Sequence, residues 1–194
     1  EAVKRKLNPW LEIGRVALTM HGDRTRLAKQ VEAEVRGRGE LRRQLPQGIL
    51  LAVGLNDTAR VGRPDGRHQL DPQAFLFGMG QLLSQARLLA PTLVLGLTPV
   101  LEEAMPFADV LWYQLDSVRR YEALLEEACL EAGVPFLPLL ESFLQEPRWP
   151  DWLCADGLHL NGEGHRWVAA RLRRWPALLQ WAGLELVSLA TPLA

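Results

Sequence analysis

Short apolar runs alternate with longer segments of mixed polarity along this chain. Three runs are apolar on both faces and predict buried strands: Arg15–Met20, Gly48–Gly54 and Thr92–Thr98. A fourth run, Val134–Leu140, is interrupted by two prolines and predicts a weaker strand. Strands that lack a polar face are typical of parallel sheets, because both faces of such sheets are covered.

The segments between these runs carry apolar residues three and four positions apart, which predicts helices. We expect helices over Arg24–Leu45, Pro72–Ala90, Asp109–Ala132 and Gly162–Gly183, the last divided at Pro176. The alternation of strands and helices predicts an α/β fold, a three-layer α/β/α sandwich around a flavodoxin-like parallel sheet. One domain is expected over residues 1–194, with about ten residues at its C-terminal end forming a tail.

Composition and charge narrow the classes of partner. Hydrophobic residues make up 48% of the chain, charged residues 23%, and the net charge is −1, as in soluble globular proteins. Charges of both signs are mixed and no basic stripe is present, so no nucleic-acid partner is expected. No apolar run reaches the length of a membrane span. Nothing in the sequence predicts an oligomeric state.

The cysteines and the first residues of the chain bear on the cellular compartment. Cys129 and Cys154 cannot form a disulfide framework, which is compatible with a reducing compartment. The first residues, Glu1–Leu7, resemble the middle of a helix and not a signal peptide. We therefore expect the true N-terminus to lie upstream, and the cytoplasm is favoured as the compartment.

Polar residues suited to chemistry follow the first two predicted strands. In open parallel sheets, ligand sites lie beyond the carboxyl ends of the strands. The segment 21–23 (HGD) follows the first strand, and Gly22 there can bring its backbone N–H close to a ligand. The segment 54–57 (GLND) follows the second, and the Asn56 amide is a donor of the kind that stabilises an oxyanion. Each segment also fits an ordinary capped turn.

The segment 154–165 (CADGLHLNGEGH) places an acid three residues before a histidine, in a glycine-rich turn. The Asp156 carboxylate can hold the Nδ1–H of His159 and leave Nε2 free as a general base. A zinc site built from Asp156, His159 and His165 is an alternative, although the spacing matches no common ligand pattern. A well-capped loop is another. We expect His165 to be packed or at the surface.

Together these three segments resemble the SGNH hydrolases, also called GDSL-type esterases and lipases. Their order and their positions at strand ends agree over essentially the whole chain, although His21 stands where small residues are usual. The resemblance implies a serine hydrolase of small-molecule acyl esters that uses no metal or organic cofactor. It implies that Gly22 and Asn56 form the oxyanion hole and that Asp156 orients His159, the general base.

The resemblance leaves the nucleophile unknown. The family's Gly-Asp-Ser block should end a strand ahead of Gly22, yet the sequence contains no such block. Its serines lie elsewhere, at Ser84, Ser117, Ser142 and Ser188. Either the block and its N-terminal strand lie upstream of this sequence, which the intact remainder favours, or they are lost. In the second case the chain is a non-catalytic SGNH-fold binding or interaction protein.

The sequence does not predict which ester or acyl group is bound. The segment 99–112 contains Met105, Phe107 and Trp112 and follows the third predicted strand. It can line an acyl pocket, or it can be ordinary core and loop packing.

Overall fold

Within the described part of the chain, three strands form one parallel sheet. The computed structural model describes residues 48–183, so the predicted strand Arg15–Met20 and helix Arg24–Leu45 lie outside the described residues. The strands within the described part are β1 (Ile49–Leu51), β2 (Arg60–Val61), β3 (Thr92–Leu95), β4 (Leu111–Trp112) and β5 (Phe136–Leu137). The sheet has the order β1-β3-β5, and both pairs are parallel. Its strands lie within predicted runs but are shorter, because residues beyond them leave the ladder to form loops.

The helices flank this sheet. Those in the described part are α1 (Pro72–Leu89), α2 (Leu115–Ala132), α3 (Leu140–Leu144), α4 (Gly162–Leu172) and α5 (Pro176–Trp181). Helix α1 begins where predicted, because the Asp71 carboxylate accepts hydrogen bonds from the backbone N–H groups of Gln73 and Ala74. The predicted division at Pro176 is confirmed, since α4 ends at Leu172 and a new helix starts at the proline.

Apolar clusters cover both faces of the sheet. Val94, which is fully buried, belongs to a large cluster with side chains of α1 and α2. Its neighbours Leu93 and Leu95 belong to a second cluster around Trp175, with side chains of α4 and α5. Because successive strand residues point to opposite faces, the two clusters lie on opposite sides of the sheet. The predicted α/β fold with a parallel sheet is confirmed, and helices cover both of its faces.

The helix predicted over Asp109–Ala132 is wrong in its first turns, because α2 begins at Leu115. Ala108 and Asp109 have positive φ angles of 49° and 62°, a left-handed conformation that does not continue a helix. The next residues form β4, which pairs antiparallel with β2 and sets Trp112 opposite Arg60. The apolar residues before α2 therefore reflect a short strand.

A buried carboxylate fixes the carboxyl ends of β3 and β5. Glu122 of α2 is 8% exposed, and its Oε1 accepts hydrogen bonds from the N–H groups of Leu97 (3.1 Å), Leu139 (3.1 Å) and Leu140 (3.3 Å). Burial raises the pKa of the Glu122 carboxyl, and these N–H groups oppose that rise. Gly96 lies so close that an added Cβ would overlap the carboxylate. The loops that leave the two strands are thereby held in place.

Both cysteines are free thiols, Cys129 buried and Cys154 exposed. Burial, with the negative charge of Glu126, raises the pKa of the Cys129 thiol to about 12, so this group is not a thiolate at neutral pH. Across residues 48–183, no helix combines the length and the apolar character that a bilayer crossing needs.

Candidate active site

The acid and the histidine of segment 154–165 lie in one closed loop. An isolated bridge joins Leu153 to Leu160, and the Cys154 N–H donates to the carbonyl of His159 at 2.7 Å. Asn161 ends the loop and caps α4, because its Oδ1 accepts from the N–H groups at the start of that helix. Its Nδ2 donates back to the carbonyl of Leu153 at 3.1 Å. The turn is thus tied at both ends.

Asp156 and His159 form a hydrogen-bonded pair. Asp156 Oδ2 lies 2.6 Å from His159 Nδ1, and Asp156 Oδ1 accepts 3.0 Å hydrogen bonds from the N–H groups of Leu158 and His159. The side chains of His159 and Asp156 are 36% and 34% exposed, so the pair can be reached from solvent. The same residue therefore holds both the backbone and the imidazole of His159.

The charge of this carboxylate determines the imidazole tautomer. Partial burial by itself would raise the pKa of Asp156, but hydrogen bonds from His159 and Leu158 and the charge of His159 together lower it. Asp156 is therefore ionised at neutral pH and can only accept. His159 Nδ1 must carry the proton of the 2.6 Å bond, which leaves Nε2 as the basic nitrogen.

The loop is seated on the segment that follows β3. The Leu101 N–H donates to the carbonyl of Gly157 at 2.8 Å. Gly157 has φ +65°, and an added Cβ would lie 2.5 Å from the Ala104 Cβ and 3.0 Å from the Leu101 carbonyl oxygen. Glycine is needed here for its left-handed backbone and for the close approach of the two segments. His159 is thus placed against the carboxyl edge of the sheet.

Asn56 lies at the same edge, after β1. Gly54 has φ +112° and turns the chain into a 3₁₀ turn, Leu55–Thr58, that carries Asn56. The Tyr113 hydroxyl donates to Asn56 Oδ1 at 3.3 Å. Because the oxygen of this amide has a partner, its Nδ2 hydrogens are directed elsewhere.

The Phe107 ring lies between Tyr113, the partner of Asn56, and His159. Its ring lies 6.3 Å from the Tyr113 ring and 5.8 Å from the His159 ring, both measured between centroids. Contacts of Tyr113 with Asn56 and of Phe107 with His159 therefore bring the two predicted site segments to one region. Phe107 and Met105 also pack against the larger core, so an acyl pocket in segment 99–112 stays a prediction.

The other candidate residues divide into two groups. Gly22 and the rest of segment 21–23 lie outside the described residues, so that part of the predicted oxyanion hole stays a prediction. His165 is exposed on α4, as expected. No cluster of three or more His, Cys, Asp or Glu side chains in the described part could hold a metal ion, so the zinc alternative with Asp156, His159 and His165 has no ligand set.

Sequence reasoning missed Tyr113 as a site residue, because it fell inside a segment predicted to be helical. The signal that could have found it is local. Residues 110–113 (VLWY) are four apolar residues in a row, which is more typical of a strand than of one face of a helix. A strand prediction there would have moved the start of the helix beyond Tyr113, as observed for α2.

The fold and the site define an α/β protein with a hydrogen-bonded Asp–His pair and an asparagine side chain at the carboxyl edge of a parallel sheet. The chain belongs to the GDSL-like lipase/acylhydrolase family, whose model matches residues 2–167. The resemblance to the SGNH, or GDSL-type, hydrolases is thereby confirmed. Membership suggests that the protein is a hydrolase with activity on esters.

One solved structure supports the fold. A lipase/acylhydrolase from Enterococcus faecalis is similar with a TM-score of 0.58 and 13% identity, covering 80% of this chain and 70% of that one. At this identity the likeness concerns the fold alone. A protein from Lactobacillus plantarum is 23% identical over 72% of this chain and 70% of its own, with a TM-score of 0.49. No curated protein matches the sequence.

Proposed function

We propose that this protein hydrolyses small carboxylic esters through an acyl-enzyme. A serine hydroxyl attacks the ester carbonyl carbon while His159 Nε2 accepts its proton. The C–O bond to the leaving alcohol then breaks, and His159 returns the proton to that oxygen. Water attacks the acyl-enzyme with His159 again as base, which releases the carboxylic acid and restores the serine. No metal or organic cofactor takes part in these steps.

The main support for this proposal is that His159 donates two hydrogen bonds to Asp156, one from its ring and one from its backbone. A single carboxylate accepts the ring Nδ1–H at 2.6 Å and the backbone N–H of the same histidine at 3.0 Å. A cap alone needs only the backbone bond, whereas a general base also needs a fixed tautomer and ring orientation. The pair lies at the carboxyl edge of the sheet, where ligands of parallel sheets bind.

The negative charge that develops on the carbonyl oxygen needs donors. The proposed donors are Asn56 Nδ2, the Gly22 N–H and the N–H of the nucleophile itself. Asn56 suits this role because its Oδ1 already accepts from Tyr113, which leaves Nδ2 as the free end of the amide. The role of Gly22 rests on the family resemblance.

The remaining component of the proposed mechanism is the nucleophile. Among described residues, Ser84, Ser117 and Ser142 lie in helices α1, α2 and α3, and no hydrogen bond from them to His159 is present. In this proposal the serine belongs to a Gly-Asp-Ser block of the kind that the family resemblance implies. The absence of that block from the 194 residues also favours a second candidate, a non-catalytic member of the family that binds esters or partners.

The test is turnover of p-nitrophenyl acetate and butyrate by the full-length protein and three variants. His159→Ala is expected to lower kcat/KM by at least about a thousandfold and Asn56→Ala by roughly a hundred- to a thousandfold. His165→Ala removes an exposed imidazole from α4 and should leave the rate unchanged. Equal turnover by wild type, His159→Ala and Asn56→Ala would show the site assignment to be wrong.

Labelling by a fluorophosphonate separates the two candidates. The acyl-enzyme proposal predicts covalent labelling of a serine in wild type and much slower labelling of His159→Ala, since the base is needed to activate the hydroxyl. A full-length protein that lacks Gly-Asp-Ser and resists the probe would support the binding protein instead.

A further inference from the structure

One buried hydroxyl donates a hydrogen bond to a residue of the candidate site. Tyr113 is 2% exposed, and within residues 48–183 its hydroxyl donates to Asn56 Oδ1 at 3.3 Å. A buried hydroxyl that donates to nothing loses its hydrogen bond to water without replacement. The Tyr113 hydroxyl therefore keeps the Asn56 amide oxygen as its acceptor.

This hydrogen bond determines which end of the Asn56 amide is available. An asparagine amide presents an acceptor oxygen on one side and two donor hydrogens on the other. A rotation by half a turn would exchange them and place an oxygen where the carbonyl oxygen of an ester must bind. Two oxygens carrying negative charge repel, so the rotated amide could not stabilise an oxyanion.

The Tyr113 ring is itself held on several sides. The preceding residue, Trp112, pairs with Arg60 across the β2–β4 ribbon. The following residue, Gln114, accepts a 3.0 Å hydrogen bond from Arg60 Nε through its side chain. Phe107 packs against the ring edge-on. The hydroxyl is thus placed by the fold and does not depend on Asn56 for its position.

The hydroxyl also stays a donor over the working range of pH. Burial, with the negative charge of Asp57, raises the pKa of Tyr113 to about 12. A tyrosinate could only accept and would release the amide oxygen. Below that pH the proton needed for the bond is present.

We propose that Tyr113 is a positioning residue, whose hydroxyl holds the Asn56 amide so that Nδ2 faces the carbonyl oxygen of the ester. The inference rests on the proposed function, in which Asn56 is an oxyanion donor. Tyr113 does not touch the substrate in this account and acts only through Asn56.

The first test is a double-mutant cycle in the full-length protein. Tyr113→Phe removes only the hydroxyl and should lower kcat for p-nitrophenyl butyrate by about tenfold, the equivalent of one neutral hydrogen bond, with little change in KM. In an Asn56→Ala background the same change should have no further effect, because there is no amide left to orient. Equal losses in both backgrounds would overturn the proposal.

Tyr121→Phe is the matched control. Its hydroxyl is also buried and donates to a protein oxygen, the backbone carbonyl of Leu70. Removing it should lower the thermal midpoint comparably to Tyr113→Phe and leave kcat unchanged. If both phenylalanine variants lose activity in proportion to stability, Tyr113 has a structural role only.

A second measurement does not depend on hydrolysis. In ¹H–¹⁵N spectra, the Asn56 side-chain NH₂ signals are identified by their loss in Asn56→Ala. The proposal predicts that Tyr113→Phe shifts or broadens this pair and that Tyr121→Phe does not. Unchanged Asn56 signals in Tyr113→Phe would refute the positioning role. Altered signals in a protein without esterase activity would refute the proposed function and leave the Tyr113–Asn56 bond established.

Discussion

Asp156→Asn isolates the orienting role of the carboxylate with the smallest possible change in shape. In wild type, Asp156 Oδ1 accepts from the N–H groups of Leu158 and His159, and Oδ2 accepts from His159 Nδ1. An asparagine can keep its oxygen on the two backbone donors. Its NH₂ group then faces His159 Nδ1, so Nδ1 must become the acceptor and the proton moves to Nε2. The base is lost while the loop is kept.

The structure allows the two effects of this substitution to be compared. A wrong tautomer in a catalytic triad lowers kcat roughly 10⁴-fold, which corresponds to about 5.5 kcal/mol in the transition state. The loss of folding stability is smaller, since three neutral hydrogen bonds replace the three charge-assisted ones. For a side chain that is 34% exposed, solvent screening reduces this loss to about 1–2 kcal/mol. Catalysis should therefore fail in a protein that is still folded.

The assay pairs p-nitrophenyl butyrate turnover with thermal unfolding of the full-length protein. We expect kcat to fall roughly 10³- to 10⁴-fold and the thermal midpoint by about 2–8 °C. Asp151→Asn is the control, because Asp151 is 59% exposed and ion-paired with Arg148; it should change neither. If Asp156→Asn keeps more than about a tenth of wild-type kcat, well above the loss a wrong tautomer causes, Asp156 does not set the tautomer of His159.

Three further predictions concern stability. Gly157→Ala should destabilise the fold by about 2–4 kcal/mol, through left-handed strain and overlap with the segment that follows β3. Gly183→Ala, with the same φ of +65° but nothing within 4 Å, should cost only about 1 kcal/mol. Equal midpoints of the two variants in thermal unfolding would contradict the close approach. Glu122→Ala should lower the free energy of unfolding in urea by about 3 kcal/mol or more, because it leaves buried N–H groups unpaired. Glu127 is exposed on the same helix, and Glu127→Ala should be near neutral. Similar losses of unfolding free energy in the two variants would show that the Glu122 carboxylate does not hold the loops. The pKa of Asp156 is lowered from 3.8 on folding, so its charge stabilises the fold above that pH, and this contribution is lost as the pH falls further. The difference in thermal midpoint between wild type and Asp156→Asn should therefore be smaller at about pH 3 than at about pH 5. An equal difference at both pH values would count against the lowered pKa.

Much of the fold could be predicted from local pattern. Apolar runs predicted the three sheet strands, and β3, with all of its residues buried, shows why a strand covered on both faces needs no polar positions. The helix α1 was also predictable, since Asp71 and Pro72 mark its start. The turn at Ala108 and Asp109 was not, because neither residue type favours positive φ as strongly as glycine does.

The candidate site divides in the same way. The bond between Asp156 and His159 joins residues three positions apart, so the spacing alone could predict it. The bond between Tyr113 and Asn56 joins residues 57 positions apart, and no local pattern specifies which side chain will meet the amide. The place of Gly22 stays a prediction, because it lies outside the described residues.

The different sequence separations in the site have a consequence for folding. The Asp156–His159 bond closes a loop of three residues and can form in a chain that has little other structure. The Asn56 amide needs the hydroxyl of Tyr113, and Gly157 needs the Leu101 segment. These contacts form only after long loops have closed. A partly folded molecule would thus hold a correctly oriented imidazole and no oriented oxyanion donor. On this reasoning the acid–base pair is expected to form before the amide donor becomes competent.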